Sequence, residues 1–462
     1  MPTRFPPGFL WGTATSAQQI EGAVREAGRE VSIWDHFAAQ PGKIADGTDP
    51  AIACDHFHRW PEDVGHLEWL GVNAYRFSVA WPRILPEGRG RVNAAGLDFY
   101  DRLVDRLLAG GIAPYVTLYH WDMPQVFQER GGWTSRESVA AFVELTEAVS
   151  TRLGDRVRYW VTHNEPWCVS HLGHERGAHA PGLHDPLASL QAAHHVLLSH
   201  ARAVAVLRRN APGAKVGLVN ILSPVHPASD SDADRDAARE LDGSFNRWFL
   251  DPVFCGSYPA DAIADRVRRG HLPGPEMGFV HAGDLSEMTA PIDFLGVNYY
   301  SRTVVRAGEG EAPQAVRTAP ADQLTDMGWE VYPQGLTEAL LRITRDYAPK
   351  ALHITENGAA YTDAEGATPP FADVRRVDFL RQHFAAAAEA IAGGAPLEAY
   401  FVWSLLDNFE WGEGLAKRFG LFHVDFATQR RTPRESAHWY REHLSSLSPL
   451  AAAPRTLPRR PS

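Results

Sequence analysis

Eight short apolar runs, each followed by a stretch of helical periodicity, constrain this 462-residue chain more than any other feature. The runs are 9–14, 74–80, 114–119, 159–162, 215–220, 294–298, 352–355 and 400–404. Helical spacing is clearest over 96–109, where Leu97, Tyr100, Leu103, Val104 and Leu107 share a face. It recurs over 135–153, 186–210 and 374–393. Strand–helix alternation predicts a parallel α/β sheet. Eight units predict its closure into a (β/α)8 TIM barrel, one domain over 1–447 with long βα loops. The alternative, an open doubly wound sheet, would carry a glycine-rich phosphate turn after an early strand. The first run instead leads into Gly12-Thr-Ala-Thr-Ser-Ala-Gln-Gln19. The longest connection, 301–334, reads as a loop lining a site. The Pro- and Arg-rich segment 448–462 reads as a disordered tail.

Composition narrows the function classes. A formal net charge of −11 argues against a broad nucleic-acid footprint. The three cysteines, Cys54, Cys168 and Cys255, form no CxxC pair, so neither a disulfide framework nor a thiolate zinc site follows. The N-terminal residues lack an apolar signal core and no stretch is apolar enough to span a bilayer, so the expected compartment is cytoplasmic. Asp55-His-Phe-His58 has metal-like spacing but lies in a loop before a helix. Asp230 to Asp236 resembles a calcium loop, yet Arg235 and Leu241 stand where glycine and glutamate are needed. It reads as a solvated loop opening a helix at Ala237, and no metal is expected. Cys168 has no sequence neighbour that would activate it as a nucleophile.

A barrel gathers functional side chains at the carboxyl ends of its strands. Those ends supply Gln19, Arg76, His120 with Trp121, Asn164 with Glu165, Asn298 with Tyr300, Glu356, Trp403, and Glu410 with Trp411. Amides, imidazole, carboxylates and phenol bond hydroxyl groups in both directions, and indoles stack on the apolar face of a sugar ring. Two glutamates beside asparagines, Glu165 and Glu356, are the minimal equipment for breaking a glycosidic bond.

Three segments, Thr162-His-Asn-Glu-Pro166, Ile354-Thr-Glu-Asn-Gly358 and Asp407-Asn-Phe-Glu-Trp411, resemble the signatures of glycoside hydrolase family 1, the β-glucosidase family. The likeness runs from Phe9 to about His438. It implies a retaining β-glycosidase acting on terminal β-D-glucosyl residues, with tolerance of β-galactosides and β-fucosides and without a cofactor. Glu165 matches the acid/base and Glu356 the nucleophile. Retaining geometry sets such carboxyls roughly 5–5.5 Å apart. Like charges that close raise one proton affinity, which is expected for Glu165. Arg76 and Tyr300 match groups supporting the nucleophile, and Asn164 the contact to the sugar 2-hydroxyl. Gln19, His120, Trp121, Trp403, Glu410 and Trp411 match glycone-binding residues, Asn298 joins the substrate-binding set, and Phe419 matches an aromatic at the sugar's edge. Trp167 and Trp329 are expected on the aglycone side. Glu410 favours a free 6-hydroxyl over a 6-phosphate.

The partners implied are small β-glucosides or short β-linked oligosaccharides, with neither nucleic acid nor membrane, and a homo-oligomer is left open. Competing readings are a non-catalytic sugar receptor, a metal-dependent or Schiff-base barrel enzyme, and a transglycosylase using the same residues. Both glutamates are present, which argues against the first. The first run leads into Gln18-Gln19 rather than a histidine pair and no lysine sits at the carboxyl end of a strand, which argues against the second.

Overall fold

The computed structural model describes residues 5–308, 312–363 and 366–447. Its central strands are β1 (Leu10–Ala14), β2 (Ala74–Ser78), β3 (Ala113–Tyr119), β4 (Tyr159–Asn164), β5 (Lys215–Ile221), β6 (Phe294–Asn298), β7 (Leu352–Asn357) and β8 (Leu397–Trp403). Each pairs in parallel with two neighbours, and β8 pairs with β1, so the sheet closes. Closure leaves no strand edge open. Every strand buries one face in the lumen and the other under helices, which is why the runs are apolar nearly throughout. The open-sheet alternative is excluded.

The helices follow the expected periodicity. Leu97, Tyr100, Leu103, Val104 and Leu107 all lie on the buried face of the Ala94–Ala109 helix. The Pro186–Asn210 helix starts where Asp185 accepts from the amides of Leu187 and Ala188, with proline at its first position. Strand ends differ from expectation in a useful way. β4 and β7 run on to Asn164 and Asn357, past the apolar signal at 162 and 355. Polar side chains can stay in the ladder because each finds a partner. His163 Nε2 lies 2.8 Å from Ser199 Oγ, and Asn357 Nδ2 donates to the Tyr299 carbonyl at 2.6 Å.

Two loop readings are corrected. Within 301–334, Thr303–Arg306 pairs with Val225–Pro227 and with Gln314–Ala315, forming a small sheet beside the barrel mouth. The acidic series after Asp230 enters a helix at Asp232, not Ala237, because Ser231 caps it through the Asp234 amide. His56 and His58 each bond a different carboxylate, Asp63 and Asp55, so they do not converge on one point. The expected tail lies outside the described residues. No helix among the described residues is long and apolar enough to cross a membrane.

The lumen is a filled core with a floor. Phe401 covers Gly12, and Phe294 covers Gly217, so large rings alternate with missing side chains. Tyr115 packs on Phe401 at 4.8 Å, and Phe294 stacks on His353 at 4.3 Å. Among the described residues, the open space of the lumen therefore lies above this plug, at the carboxyl ends. A Cβ on Gly12 would meet the Phe401 ring at 2.5 Å and the Ala74 carbonyl at 2.7 Å. Gly12→Ala is expected to cost about 1–3 kcal/mol of stability by overpacking. Denaturant unfolding with an unchanged m-value tests this, and an unshifted midpoint would refute it.

Candidate active site

A cavity of about 960 Å³ opens above the plug. Glu165 and Glu356 both line it, as do His120, Trp121, Tyr300 and Glu410. Trp167, Trp329, Trp403, Trp411 and Phe419 also reach it. Gln19, Arg76, Asn164 and Asn298 sit one layer behind, hydrogen-bonded to lining residues.

That rear layer is a directional network. Arg76 is fully buried and its guanidinium can only donate. Its Nη1 reaches Glu356 Oε1 at 2.6 Å, and its Nη2 reaches Asn164 Oδ1 at 2.6 Å. The Asn164 amide is thereby oriented, so its Nδ2 faces His120 Nε2 at 3.0 Å. His120 must accept there and carry its proton on Nδ1. Burial and then the Arg76 charge depress its basicity well below the usual imidazole range, so the ring is neutral. Nδ1 has no partner among the described residues, leaving a buried N–H in a ring that lines the cavity. The same logic orients Asn298. Its Nδ2 donates to Asn164 Oδ1 at 3.1 Å and to Glu165 Oε1 at 2.6 Å, while its Oδ1 accepts from Thr355 Oγ1 at 2.7 Å.

The two catalytic candidates thus receive unequal surroundings. Glu356 accepts from a cation and, through Oε2, from the Tyr300 hydroxyl at 2.5 Å. Glu165 accepts an amide N–H on one oxygen and the Cys168 thiol, 3.0 Å away, on the other. Burial, and next the nearby Glu356 charge, push the Glu165 carboxyl above its usual range. Glu410 is pushed up to about 8, first by burial and then by the charges of Glu356 and Glu165, with Gln19 Nε2 3.3 Å from its Oε2.

Three cavity residues other than glycine hold left-handed backbone: Trp121 at φ +76°, Glu165 at +47° and Trp411 at +50°. Each costs on the order of 1 kcal/mol or more for a residue with a side chain. Surrounding contacts hold them there. Trp121 Nε1 donates to the Asn164 carbonyl at 2.8 Å, and the Glu165 amide donates to the Val219 carbonyl at 2.8 Å. Trp411 is wedged between Trp121 at 4.4 Å and Trp34 at 4.7 Å. On the outer wall, Trp329 packs on Tyr300 at 5.1 Å, and Trp167 packs on Phe245 at 4.4 Å.

The pattern of Glycosyl hydrolase family 1 matches residues 1–447. The chain belongs to this family. Beta-glucosidase A of Thermotoga maritima is 45% identical over 440 residues, covering 95% of this chain and 97% of that one. A bifunctional beta-D-glucosidase/beta-D-fucosidase of Bifidobacterium breve is 42% identical over 465 residues, covering 96% and 99%. The solved beta-glucosidase from Thermotoga maritima in complex with glucoimidazole superposes with a TM-score of 0.91 at 43% identity, covering 96% of this chain and 99% of that one.

Membership in family 1 makes the chain a glycoside hydrolase. Two cavity contacts had no signal in the sequence. Phe245 comes from a turn of helix between β5 and β6, and the Cys168 thiol meets Glu165 only because the chain coils directly after that residue. Among the described residues, Asp363, Asp407 and His423 bring their ligand atoms within 4.8 Å of one another, a spacing that suits a metal ion. Arg434 already bonds both carboxylates, however, with Nη2 2.6 Å from Asp363 and 2.8 Å from Asp407.

Glu410 predicts a pH signature in stability. Its folded value, about 8, exceeds the ordinary 4.5, so the unfolded chain ionises first as pH rises. The stabilisation is complete below 4.5 and is lost on the way up through about 8. Glu410→Gln removes this term. The fall in Tm between pH 5 and 8.5 should be shallower in that variant than in the wild type, and equal slopes would contradict the assignment.

Proposed function

We propose that this chain is a retaining β-glucosidase, with Glu356 as nucleophile and Glu165 as acid/base. The carrying observation is the inequality of the two carboxyls: Glu356 is clamped by Arg76 and Tyr300, while Glu165 is buried beside it with its proton affinity raised. In the first step Glu356 attacks the anomeric carbon as Glu165 protonates the leaving oxygen. The glycosidic bond breaks and a glycosyl ester of Glu356 forms. Esterification removes the Glu356 charge, and with it the repulsion that held the proton on Glu165. Glu165 then takes a proton from water, whose oxygen attacks the same carbon and releases Glu356. Two carboxyls and one water account for every atom transferred.

Around this chemistry, the free Nδ1–H of His120 and the Glu410 carboxyl suit sugar hydroxyls, with Trp403 and Trp411 as apolar partners. Gln19, Asn164 and Asn298 act from behind, and Phe419 closes the edge. Trp167 and Trp329 fit an aglycone further out. Lys417 donates to the Asp326 carbonyl at 2.8 Å, which supports an unphosphorylated sugar. The Bifidobacterium relative favours β-fucosides as a second substrate class. Residues 1–447 form the proposed catalytic unit, and the cytoplasmic assignment rests on sequence alone.

Azide separates the two roles. Glu356→Gly should lose hydrolysis of aryl β-glucosides, and azide should restore turnover with an α-glucosyl azide as product, because it enters where the carboxylate stood. Glu165→Ala should lose about 10²–10⁴-fold on poor leaving groups, much less on 2,4-dinitrophenolate, and yield a β-glucosyl azide. Undiminished turnover of Glu356→Gly, or the opposite azide anomers, would reject the assignment.

A further inference from the structure

The network behind the cavity determines where Glu165 keeps its proton. Arg76 orients Asn164, Asn164 orients Asn298, and Asn298 puts an N–H on Glu165 Oε1. An oxygen that already accepts this bond is the poorer place for a proton, so the proton belongs on Oε2. The group facing Oε2 is the Cys168 thiol, with Sγ at 3.0 Å. Cys168 is 4% exposed and borders the cavity. Burial, then the Glu165 charge, hold the thiol in its neutral form, so it meets an ionised Glu165 as a donor.

We propose that Cys168 is a positioning residue for the acid/base, its S–H bond to Glu165 Oε2 setting the pH at which Glu165 releases its proton. The inference rests on the acid/base reading of Glu165. A thiol is a weak donor. It occupies one lone pair of Oε2 and leaves the other free to hold the proton that faces the substrate. It stabilises the anion needed in the second step without favouring it so strongly that the acid of the first step is lost. A hydroxyl there would tilt the balance to the anion, and a hydrocarbon would tilt it to the acid. The other ionisable groups around Glu165 are Glu356 on β7, Arg76 on β2, Tyr300 after β6 and Glu410 after β8. All of them are unchanged by substitution at Cys168.

The test is the alkaline limb of kcat/KM for an aryl β-glucoside with a poor leaving group. Cys168→Ser supplies a stronger donor of smaller volume, and Cys168→Val fills the space with no donor and excludes water. The limb should move down in Ser and up in Val, by about half a pH unit each. A packing role would move both variants alike or move neither. The order Ser, wild type, Val along the pH axis supports the proposal, and any other order overturns it. If Val disturbs folding, seen as a lost cooperative melt, Cys168→Ala replaces it with the same expected direction. Glu165→Ala serves as the control. Persistence of the alkaline limb in that variant would reject the acid/base reading itself rather than the role of the thiol.

Discussion

The buried guanidinium of Arg76 is the group on which the site depends. Enclosed at the top of β2, it makes an ion pair with Glu356 and an amide contact with Asn164. Taking a lone cation out of water is prohibitively costly, so its partners must be in place whenever the barrel is closed. Since it can only donate, it sets the direction of every bond beyond it. Asn164, Asn298 and His120 inherit their orientations in turn, and Glu165 inherits the donor on its Oε1. A network with one donor-only member at its head has a single consistent arrangement. It therefore preorganises the cavity before any sugar arrives.

The same group explains the charge state of the cavity. Three glutamates, Glu165, Glu356 and Glu410, lie buried around it, and among the described residues the one guanidinium that bonds any of them is that of Arg76, through Glu356. One positive charge in a poorly solvated space cannot neutralise three negative ones. The carboxyl that Arg76 touches is the one served by a cation, and the other two are pushed toward the neutral form. The inequality on which the proposed roles of Glu165 and Glu356 rest thus arises from one residue's position rather than from a difference between two identical side chains. The surrounding aromatic packing contributes by holding Trp121, Glu165 and Trp411 in backbone conformations they would not adopt alone.

Much of this was legible in the chain. The eight runs marked the strands because parallel strands buried on both faces must be apolar. The polar and aromatic residues following those runs marked the cavity because a closed barrel gathers strand ends at one rim. Legibility failed where apolar patterning stopped. β4 and β7 extend through Asn164 and Asn357, whose burial is supported by partners far away in sequence. The 301–334 segment carried no strong strand pattern, yet it completes a small sheet with Val225–Pro227. Cys168 looked inert because its partner, Glu165, lies on a turn whose geometry no neighbouring residue announces.

The strand count, the barrel and the identity of two paired glutamates are written in periodicity and local motif, since those depend on which residues can be buried side by side. The local motifs suggest the proposed roles of Glu165 and Glu356 only by resemblance, because in physical terms both follow an apolar run and both stand beside asparagine. Their inequality emerges only when β2, β4, β6 and β7 close around Arg76 and burial makes hydrogen-bond direction and charge count unforgiving. The same closure brings a thiol to Glu165 Oε2 and leaves His120 Nδ1 without a partner among the described residues, available to a hydroxyl. Contacts between distant strand ends form only in three dimensions, and here those contacts give two chemically identical carboxyls unequal surroundings.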